Sequence, residues 1–113
     1  MTVELKIYYP ASQKKMWLVP ISGSKSFEEY WKPISGLLKL KLIPNFDLGL
    51  NLGKEDIPAV IAELDTFEDF VHSEQQKIIP PDKLEYVLSS LHELVEALKE
   101  AKNEIGEIDL WFN

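Results

Sequence analysis

The feature that most constrains the fold is a strict alternation of apolar and polar side chains at both ends of the chain. The apolar members of the two runs are Val3, Leu5, Ile7 and Tyr9 near the start and Ile108, Leu110 and Phe112 near the end. Successive side chains of a strand point to opposite faces of a sheet, so each run predicts a strand with one buried face. Strands of this kind are typical of antiparallel sheets, whose second face contacts water.

A second strand is predicted over residues 16–19 (MWLV), a short apolar run that we expect Pro20 to stop. Residues 10–13 (PASQ) have the composition of a loop, so the first two strands are expected to form a hairpin. Residues 21–25 are predicted to be a connection.

A further strand is predicted over residues 47–53, where leucines alternate with polar residues and glycine. Residues 40–46 also alternate, but Pro44 would end any strand quickly. The sequence is compatible with either a strand or a loop over residues 40–46.

The first helix is predicted to begin at Ser26, because Ser26 and Glu29 have the spacing of a capping box. The apolar residues that follow at helical spacing are Phe27, Tyr30, Trp31, Ile34, Leu37 and Leu38. Pro33 lies inside this pattern and is expected to bend the helix around the core.

Two longer helices are predicted in the second half of the chain. One starts near Asp56, a good N-cap residue, and the other starts at residues 80–82. The apolar stripe of the last helix extends to Ile105, and Gly106 is expected to be its left-handed C-terminal cap.

These elements predict an α+β fold in which a mainly antiparallel sheet of about four strands carries three helices on one face, a two-layer sandwich. The chain of 113 residues has a usual length for one domain, so a single domain over residues 1–113 is expected.

Composition excludes several classes of function. Without any cysteine the chain has no disulfide, no thiolate metal site and no cysteine nucleophile, which favours a reducing compartment, and a cytoplasmic location is expected. The first residues carry charge inside a short apolar run, so no signal peptide is predicted. No run approaches the ~20 apolar residues of a membrane helix, so no membrane partner is expected.

The charge is negative and uneven. The net charge is −7, and all twelve basic residues are lysine. Arginine is the preferred side chain for phosphate and guanine, so a nucleic-acid partner is not expected. Residues 1–43 contain seven lysines and three glutamates, whereas residues 44–113 contain five lysines and sixteen carboxylates.

No pattern of catalytic or metal-ligating residues is present. No serine occupies a glycine-flanked elbow, and His72 and His92 have the spacing of no metal site. Glu63 and Glu68 flank an apolar stripe and could be partly shielded, but so small a domain has little room for a catalytic cleft. We therefore expect no enzyme activity, no metal and no cofactor.

The surface feature that stands out is an acidic row on the polar side of the last predicted helix. Its members are Glu85, Glu93, Glu96, Glu100 and Glu104, and Asp65 and Asp69 repeat the pattern on the preceding helix. Like charges four residues apart cost stability, and Lys99 and Lys102 are not expected to relieve this cost, because they lie at the edge of the row, beside the apolar side. The row predicts a binding surface for a basic protein partner; a solvated face without a partner is the alternative.

Tyr8 and Trp111 are predicted to point away from the core, on the open face of the sheet. Tryptophan and tyrosine are frequent anchors of interfaces, so this pair is a second candidate for partner binding. The alternative is that the two rings only pack across neighbouring strands and support the sheet.

Residues 27–31 (FEEYW), 43–49 (IPNFDLG) and 61–64 (IAEL) carry a resemblance in layout that extends over about half of the chain. In these stretches the chain resembles small immunity proteins of bacterial polymorphic toxin systems. The resemblance implies a single-domain, acidic, cytoplasmic and non-enzymatic protein that neutralises a cognate toxin by covering its active surface. It implies no particular binding residues.

The leading hypothesis is an acidic binding or inhibitory protein whose helices contact a basic partner. One alternative is a structural or housekeeping subunit that forms a homodimer through its exposed sheet face. Another is a small enzyme or ligand-binding domain with a pocket between sheet and helices.

Overall fold

A computed structural model describes residues 2–12 and 14–113; Met1 and Gln13, the last residue of the predicted 10–13 loop, lie outside the described residues. Within these residues the chain forms four strands and three helices. The strands are β1 (Thr2–Tyr8), β2 (Trp17–Gly23), β3 (Leu50–Gly53) and β4 (Asp109–Phe112). The helices are α1 (residues 24–37), α2 (Ile57–Val71) and α3 (Pro81–Lys102).

The four described strands form one antiparallel sheet in the order β2-β1-β4-β3. The first and last strands pair at its centre, from Leu5 opposite Phe112 to Tyr8 opposite Asp109. The edges are therefore β2 on one side and β3 on the other. The predicted α+β fold with an antiparallel sheet of four strands and three helices is confirmed.

The core lies between the helices and one face of the sheet. Val3, Leu5 and Ile7 of β1 are buried, as are Leu110 and Phe112 of β4, whereas the residues between them are partly or fully exposed. Because burial alternates along both central strands, the helices cover one face and leave the other open.

Aromatic rings fill the space between the helices and the sheet. The Trp31 ring stacks on Phe27 and on Phe67, with centroids 5.9 Å and 4.8 Å away. The Phe46 ring stacks on Phe112 of β4 at 4.1 Å. These contacts join α1, α2 and the turn before β3 to one core.

The strand β2 is longer than predicted, because Pro20 does not stop it. Ile21 and Ser22, where the sequence predicts a connection, belong to the strand and are buried. Proline is tolerated here because β2 is an edge strand, where one side of the backbone needs no ladder partner. The register shifts by one residue between Val3 and Glu4, so a bulge beside Pro20 turns two consecutive side chains inward.

The helix α1 begins at Ser24, two residues earlier than predicted. Ser26 has the helical φ and ψ of −64° and −35°, and its hydroxyl makes no capping hydrogen bond. The predicted capping box of Ser26 and Glu29 is therefore wrong, because the chain is already helical when it reaches Ser26.

Pro33 is accommodated by a π-helical turn at Phe27–Trp31. In this turn the backbone N–H of Lys32 donates to the carbonyl of Phe27, one residue further back than in an α-helix. Where the sequence predicts a bend at Pro33, the structure therefore has a local change of hydrogen-bond pattern just before the proline, which has no N–H to donate.

Residues 38–46 form a loop rather than a strand. The helix α1 ends in a Schellman motif, in which the N–H of Leu40 donates to Ser35 and the N–H of Lys39 donates to Gly36, at 2.9 Å and 3.2 Å. Lys39 has a φ of 58°, a left-handed conformation that usually belongs to glycine. A 3₁₀ turn at Ile43–Asn45 follows.

The strand predicted over residues 47–53 is shorter than expected. Residues 46–49 form a turn in which Gly49 has a φ of 82°, and Leu48 is exposed. Only Leu50–Gly53 pairs with β4, so the alternating leucines indicated the strand but not its start.

The two long helices begin where predicted, next to Asp56 and at residues 80–82, but the predicted cap of α2 and the predicted end of α3 are wrong. The Asp56 side chain does not cap α2; its carboxylate accepts a hydrogen bond from the N–H of Gly53 at 2.9 Å, within a 3₁₀ turn. The helix α3 ends at Lys102, so Ile105 is outside the apolar stripe and 92% exposed. Gly106 has a φ of 96°, but it lies beyond the helix and does not cap it.

Candidate partner-binding surface

The predicted acidic row lies on α3 and just after it. Glu85, Glu93, Glu96 and Glu100 are exposed, and Glu104, two residues beyond the helix end, is partly buried. The buried residues of α3 are Val87, Ser90, Leu91, Leu94, Ala97, Leu98 and Ala101. The carboxylates are therefore presented on one side of a helix whose other side is fixed by the core.

Three of these carboxylates border a groove between α3 and the edge strand β2. The groove has a volume of about 390 Å³ and is lined by residues 17–20 of β2 and by His92, Glu93, Glu96, Ala97 and Glu100 of α3. On the strand side it is apolar, with Trp17 37% and Leu18 45% exposed. We call this feature, residues 17–20 together with residues 92–100, the acidic groove.

The two sides of the acidic groove have similar lengths. A strand rises about 3.3 Å per residue, so residues 17–20 extend over about 10 Å. A helix rises about 1.5 Å per residue, so residues 92–100 extend over about 12 Å. The apolar strand edge and the row of carboxylates on the two sides of the groove are thus similar in length.

Two lysines reduce the negative charge of the row, and one of them, Lys99, was expected not to do so. Lys14 Nζ lies 2.8 Å from Glu104 Oε2, and this hydrogen bond raises the pKa of Lys14 above its ordinary value of 10.5. Lys99 Nζ lies 4.0 Å from Glu96 Oε1. Glu104 is thus part of an ion pair between Lys14, which precedes β2, and the segment just after α3, which the sequence could not indicate because the partners are distant in the chain.

The other carboxylates of the row have no cation within ion-pair distance among the described residues, although the charge of Glu100, after the hydrogen bond to Glu104, also raises the pKa of Lys14. Glu85, Glu93 and Glu100 form no ion pair there. The negative charge is therefore concentrated at the acidic groove, where Glu93 and Glu100 stand on either side of Glu96 along α3.

Tyr8 and Trp111 lie on the open face of the sheet, on the two central strands. Tyr8 is opposite Asp109 and Trp111 is opposite Lys6, so the two aromatic residues are diagonal neighbours, about 7–8 Å apart in such a pairing. They are 38% and 39% exposed and line a shallow cavity together with Met16. We call Tyr8, Met16 and Trp111 the aromatic patch.

The remaining predicted site residues lie elsewhere. Asp65 and Asp69 are exposed on α2, and they line neither the acidic groove nor the aromatic patch. Glu85 is exposed near the start of α3, before the groove begins. The structure therefore brings together Glu93, Glu96 and Glu100 and separates the others from them.

Glu63, a candidate for carboxylate chemistry, has a structural role. Its two carboxylate oxygens accept hydrogen bonds from the backbone N–H groups of Lys41, Leu42 and Ile43, at 3.0–3.1 Å. A carboxylate that is bound by three backbone donors fixes the loop after α1. The sequence indicated that Glu63 is partly shielded, but not what shields it.

The two histidines are on helix surfaces. His72, the C-terminal cap of α2, is exposed and places Nε2 3.8 Å from the Glu68 carboxylate, four residues earlier on the same helix. His92 is exposed at the acidic groove. Among residues 2–12 and 14–113, no group of three or more His, Asp or Glu side chains is placed to hold a metal ion.

The strand side of the acidic groove was missed by the sequence argument. Trp17 and Leu18 were placed in a strand, but nothing assigned that strand to the edge of the sheet beside α3. The available signal was Pro20, because a proline inside a strand is confined to edges and bulges.

In the part of the chain that the structure describes, no helix is both long enough and apolar enough to cross a bilayer.

Comparison with known proteins gives no match to a family model, a curated protein or a solved structure.

Proposed function

We propose that this protein is a non-enzymatic binding and inhibitory protein that recognises a basic protein partner at the acidic groove. The observation that carries the proposal is the position of Glu93, Glu96 and Glu100 beside the apolar strand edge formed by Trp17 and Leu18. Apolar contact area and a negative charge that Lys99 compensates only at Glu96 occur there together, which is the combination that a specific interface uses.

The charge arrangement favours recognition over mere solubility. Surfaces that serve only solubility usually alternate lysine and glutamate, which removes repulsion along a helix. On α3 the pair of Glu96 and Glu100 is repulsive at a spacing of four residues, and Glu93 and Glu100 form no ion pair among the described residues. A partner with lysine or arginine at its surface would relieve this repulsion and would associate faster because of the opposite charge.

The inhibitory part of the proposal rests on the resemblance to small immunity proteins. Such a protein acts by covering a surface of its partner, which needs a rigid, charged and partly apolar face rather than a cleft. We place this activity in the cytoplasm, in keeping with a chain that has no cysteine.

The test uses two variants that change the net charge equally. In the groove variant, Glu93, Glu96 and Glu100 become glutamine; in the control variant, Asp65, Asp69 and Glu74 become asparagine or glutamine. Proteins captured from the source cell by the wild-type chain are purified, and their binding to all three chains is measured at about 50 mM and about 500 mM salt, a range over which surface charges become screened.

We expect a basic protein that binds the wild-type chain and the control variant alike and binds the groove variant at least tenfold more weakly. Its association rate should fall steeply as the salt concentration rises. Equal binding to both variants, or a captured partner without basic character, would contradict the proposal. Co-expression of the partner with each variant then shows whether binding suppresses the partner's activity.

A second function, homodimer formation through the open face of the sheet, is favoured by the aromatic patch. Three large apolar side chains, Tyr8, Met16 and Trp111, are between 38% and 44% exposed at one end of that face. Light scattering over a range of protein concentrations tests this alternative. A dimer that Trp111→Ala dissociates would support it, and a monomer at all concentrations would exclude it.

A further inference from the structure

We infer that the partner enters the acidic groove as an extended segment, which adds a strand to the free edge of β2 and directs basic side chains at Glu93, Glu96 and Glu100. This inference rests on the proposed function, and it specifies how the partner is bound. Strand addition is a common mode of peptide recognition, in which backbone hydrogen bonds give affinity and alternate side chains give specificity.

The outer edge of β2 has backbone groups available for a further strand. The N–H and the carbonyl of Glu4 on β1 both bond to Asn113, on the side away from β2, at 2.8 Å and 3.0 Å. The opposing pair of Glu4 and Pro20 is therefore a non-hydrogen-bonded pair of the β1–β2 ladder. This agrees with the proline at that position, which has no N–H to donate.

The same alternation fixes the direction of the Leu18 backbone. Leu18 is opposite Lys6, two residues from the pair of Glu4 and Pro20, so it also belongs to a non-hydrogen-bonded pair. Its N–H and carbonyl therefore point away from β1, toward the space beside the sheet. Leu18 is the residue of β2 that can both donate to and accept from an added strand, because Pro20 can only accept.

Side chains of an added strand would alternate between the two faces of the sheet. Those on the inner face would extend over α3, where Glu93, Glu96 and Glu100 border the groove. Positions two apart in a strand are about 6.6 Å apart, so basic residues at every second position suit a row of carboxylates about 10 Å long. The methylene groups of a lysine could pack against Trp17 while the ammonium group reaches a carboxylate.

The recognised chemistry is thus an extended segment with lysine or arginine at alternate positions. A docked helix fits less well, because its own backbone groups are already paired and would leave the outward N–H and carbonyl of Leu18 without partners. The probe is a blocked peptide of about eight residues that alternates lysine with threonine and valine, long enough to cover β2. A comparison peptide has the same charge but places lysine, alanine and leucine at helical spacing.

The decisive variant is Leu18→Pro, with Leu18→Ala as its control. Proline removes the outward N–H but no hydrogen bond of the sheet, just as Pro20 does two residues later. Alanine shortens the same side chain and keeps the N–H. Hydrogen exchange of the Leu18 amide in the wild-type chain, with and without the alternating peptide, gives the same information without any substitution.

We expect the wild-type chain to bind the alternating peptide more tightly than the helical peptide. The alternating peptide should bind the Leu18→Pro variant at least tenfold more weakly than the Leu18→Ala variant. In the wild-type chain it should protect the Leu18 amide from hydrogen exchange. Tighter binding of the helical peptide, or an unprotected Leu18 amide in the complex, would overturn strand addition. If both peptides bind and the groove variant with three glutamines weakens both, the proposed function stands while this inference fails. If neither peptide binds, the inference fails, and the partner captured from the cell decides the proposed function separately.

Discussion

The two carboxylate oxygens of Glu63 both accept a hydrogen bond from the backbone N–H of Leu42, each at 3.0 Å. The neighbouring N–H groups of Lys41 and Ile43 donate to the same carboxylate. One side chain of α2 thereby holds the loop that carries the chain from α1 toward β3, and it supplies the acceptors that three successive backbone donors need.

Glu63→Ala should therefore lower the free energy of unfolding by about 2 kcal/mol, since charge-assisted hydrogen bonds are lost and part-buried donors are left without a protein acceptor. Urea unfolding measures this change. Glu68→Ala is the matched control on the same helix, because its partner is an exposed histidine, and it should change stability by less than about 0.5 kcal/mol. Equal losses for both variants would show that the loop does not depend on Glu63.

Lys39→Gly should raise the free energy of unfolding by about 1 kcal/mol. Lys39 occupies the left-handed position of the Schellman motif with a φ of 58°, which costs a residue with a Cβ roughly this amount relative to glycine. Lys41→Gly, in the same loop without a positive φ, should be neutral or destabilising because glycine only adds freedom to the unfolded chain. Stabilisation by both substitutions would point to a charge effect instead.

Ser35→Ala should stabilise the protein by about 1 kcal/mol, since the Ser35 hydroxyl is buried with no hydrogen-bond partner among the described residues. Ser89→Ala, at an exposed position of α3, measures the gain in helix propensity alone, which is at most about 0.5 kcal/mol. Thermal unfolding of both variants compares the two gains. A loss of stability in Ser35→Ala would mean that the hydroxyl is satisfied by an internal water.

Stability should fall at alkaline pH through Tyr9 and Lys14. Burial raises the pKa of the Tyr9 phenol above 10.0, and the hydrogen bond to Glu104 raises the pKa of Lys14 above 10.5. Both groups hold their proton more tightly in the folded chain, so their contribution is complete below about pH 10 and is lost as the pH rises through the folded pKa values.

Urea unfolding at about pH 9 and about pH 11 tests this prediction, because the two conditions lie on either side of the ordinary tyrosine pKa. Tyr9→Phe keeps a ring beneath the Lys14 ammonium group and removes the titrating hydroxyl, so its loss of stability across the same interval should be smaller. An equal loss in the variant would assign the alkaline effect to other groups.

Glu100→Gln should raise the free energy of unfolding by a few tenths of a kcal/mol, because Glu100 has a like charge at i−4, Glu96, on the same helix. The gain should shrink as salt is added. Glu85→Gln, which has no glutamate or aspartate four residues away, should gain less. A decrease in stability for Glu100→Gln would indicate a favourable contact of this carboxylate within the fold.

The element types were predictable because side-chain periodicity is a local property of the sequence. The alternation in residues 3–9 and 107–112 determined which side chains of β1 and β4 face the core, and the stripe of α3 did the same for Leu91, Leu94 and Leu98. The acidic row was visible for the same reason, since residues three and four apart share one face of a helix.

Element boundaries were less predictable, because they depend on partners that are distant in the chain. Pro20 is a strand breaker by local rules, yet it lies inside β2 because that strand is at an edge of the sheet. Lys39 occupies a position that favours glycine, and the loop that follows it is bound by the Glu63 carboxylate of α2.

The sequence by itself determined the fold class, the buried faces of the central strands and the sign of the charge on α3. Tertiary structure alone decided that β2 is the free edge beside that helix, that Glu104 is bound by Lys14, and that Glu93, Glu96 and Glu100 share a groove with Trp17 and Leu18. The physical reason is that the buried face of a helix or strand follows from the side-chain pattern of that element alone. A binding groove instead depends on which elements pack side by side, and the side-chain pattern does not specify that arrangement.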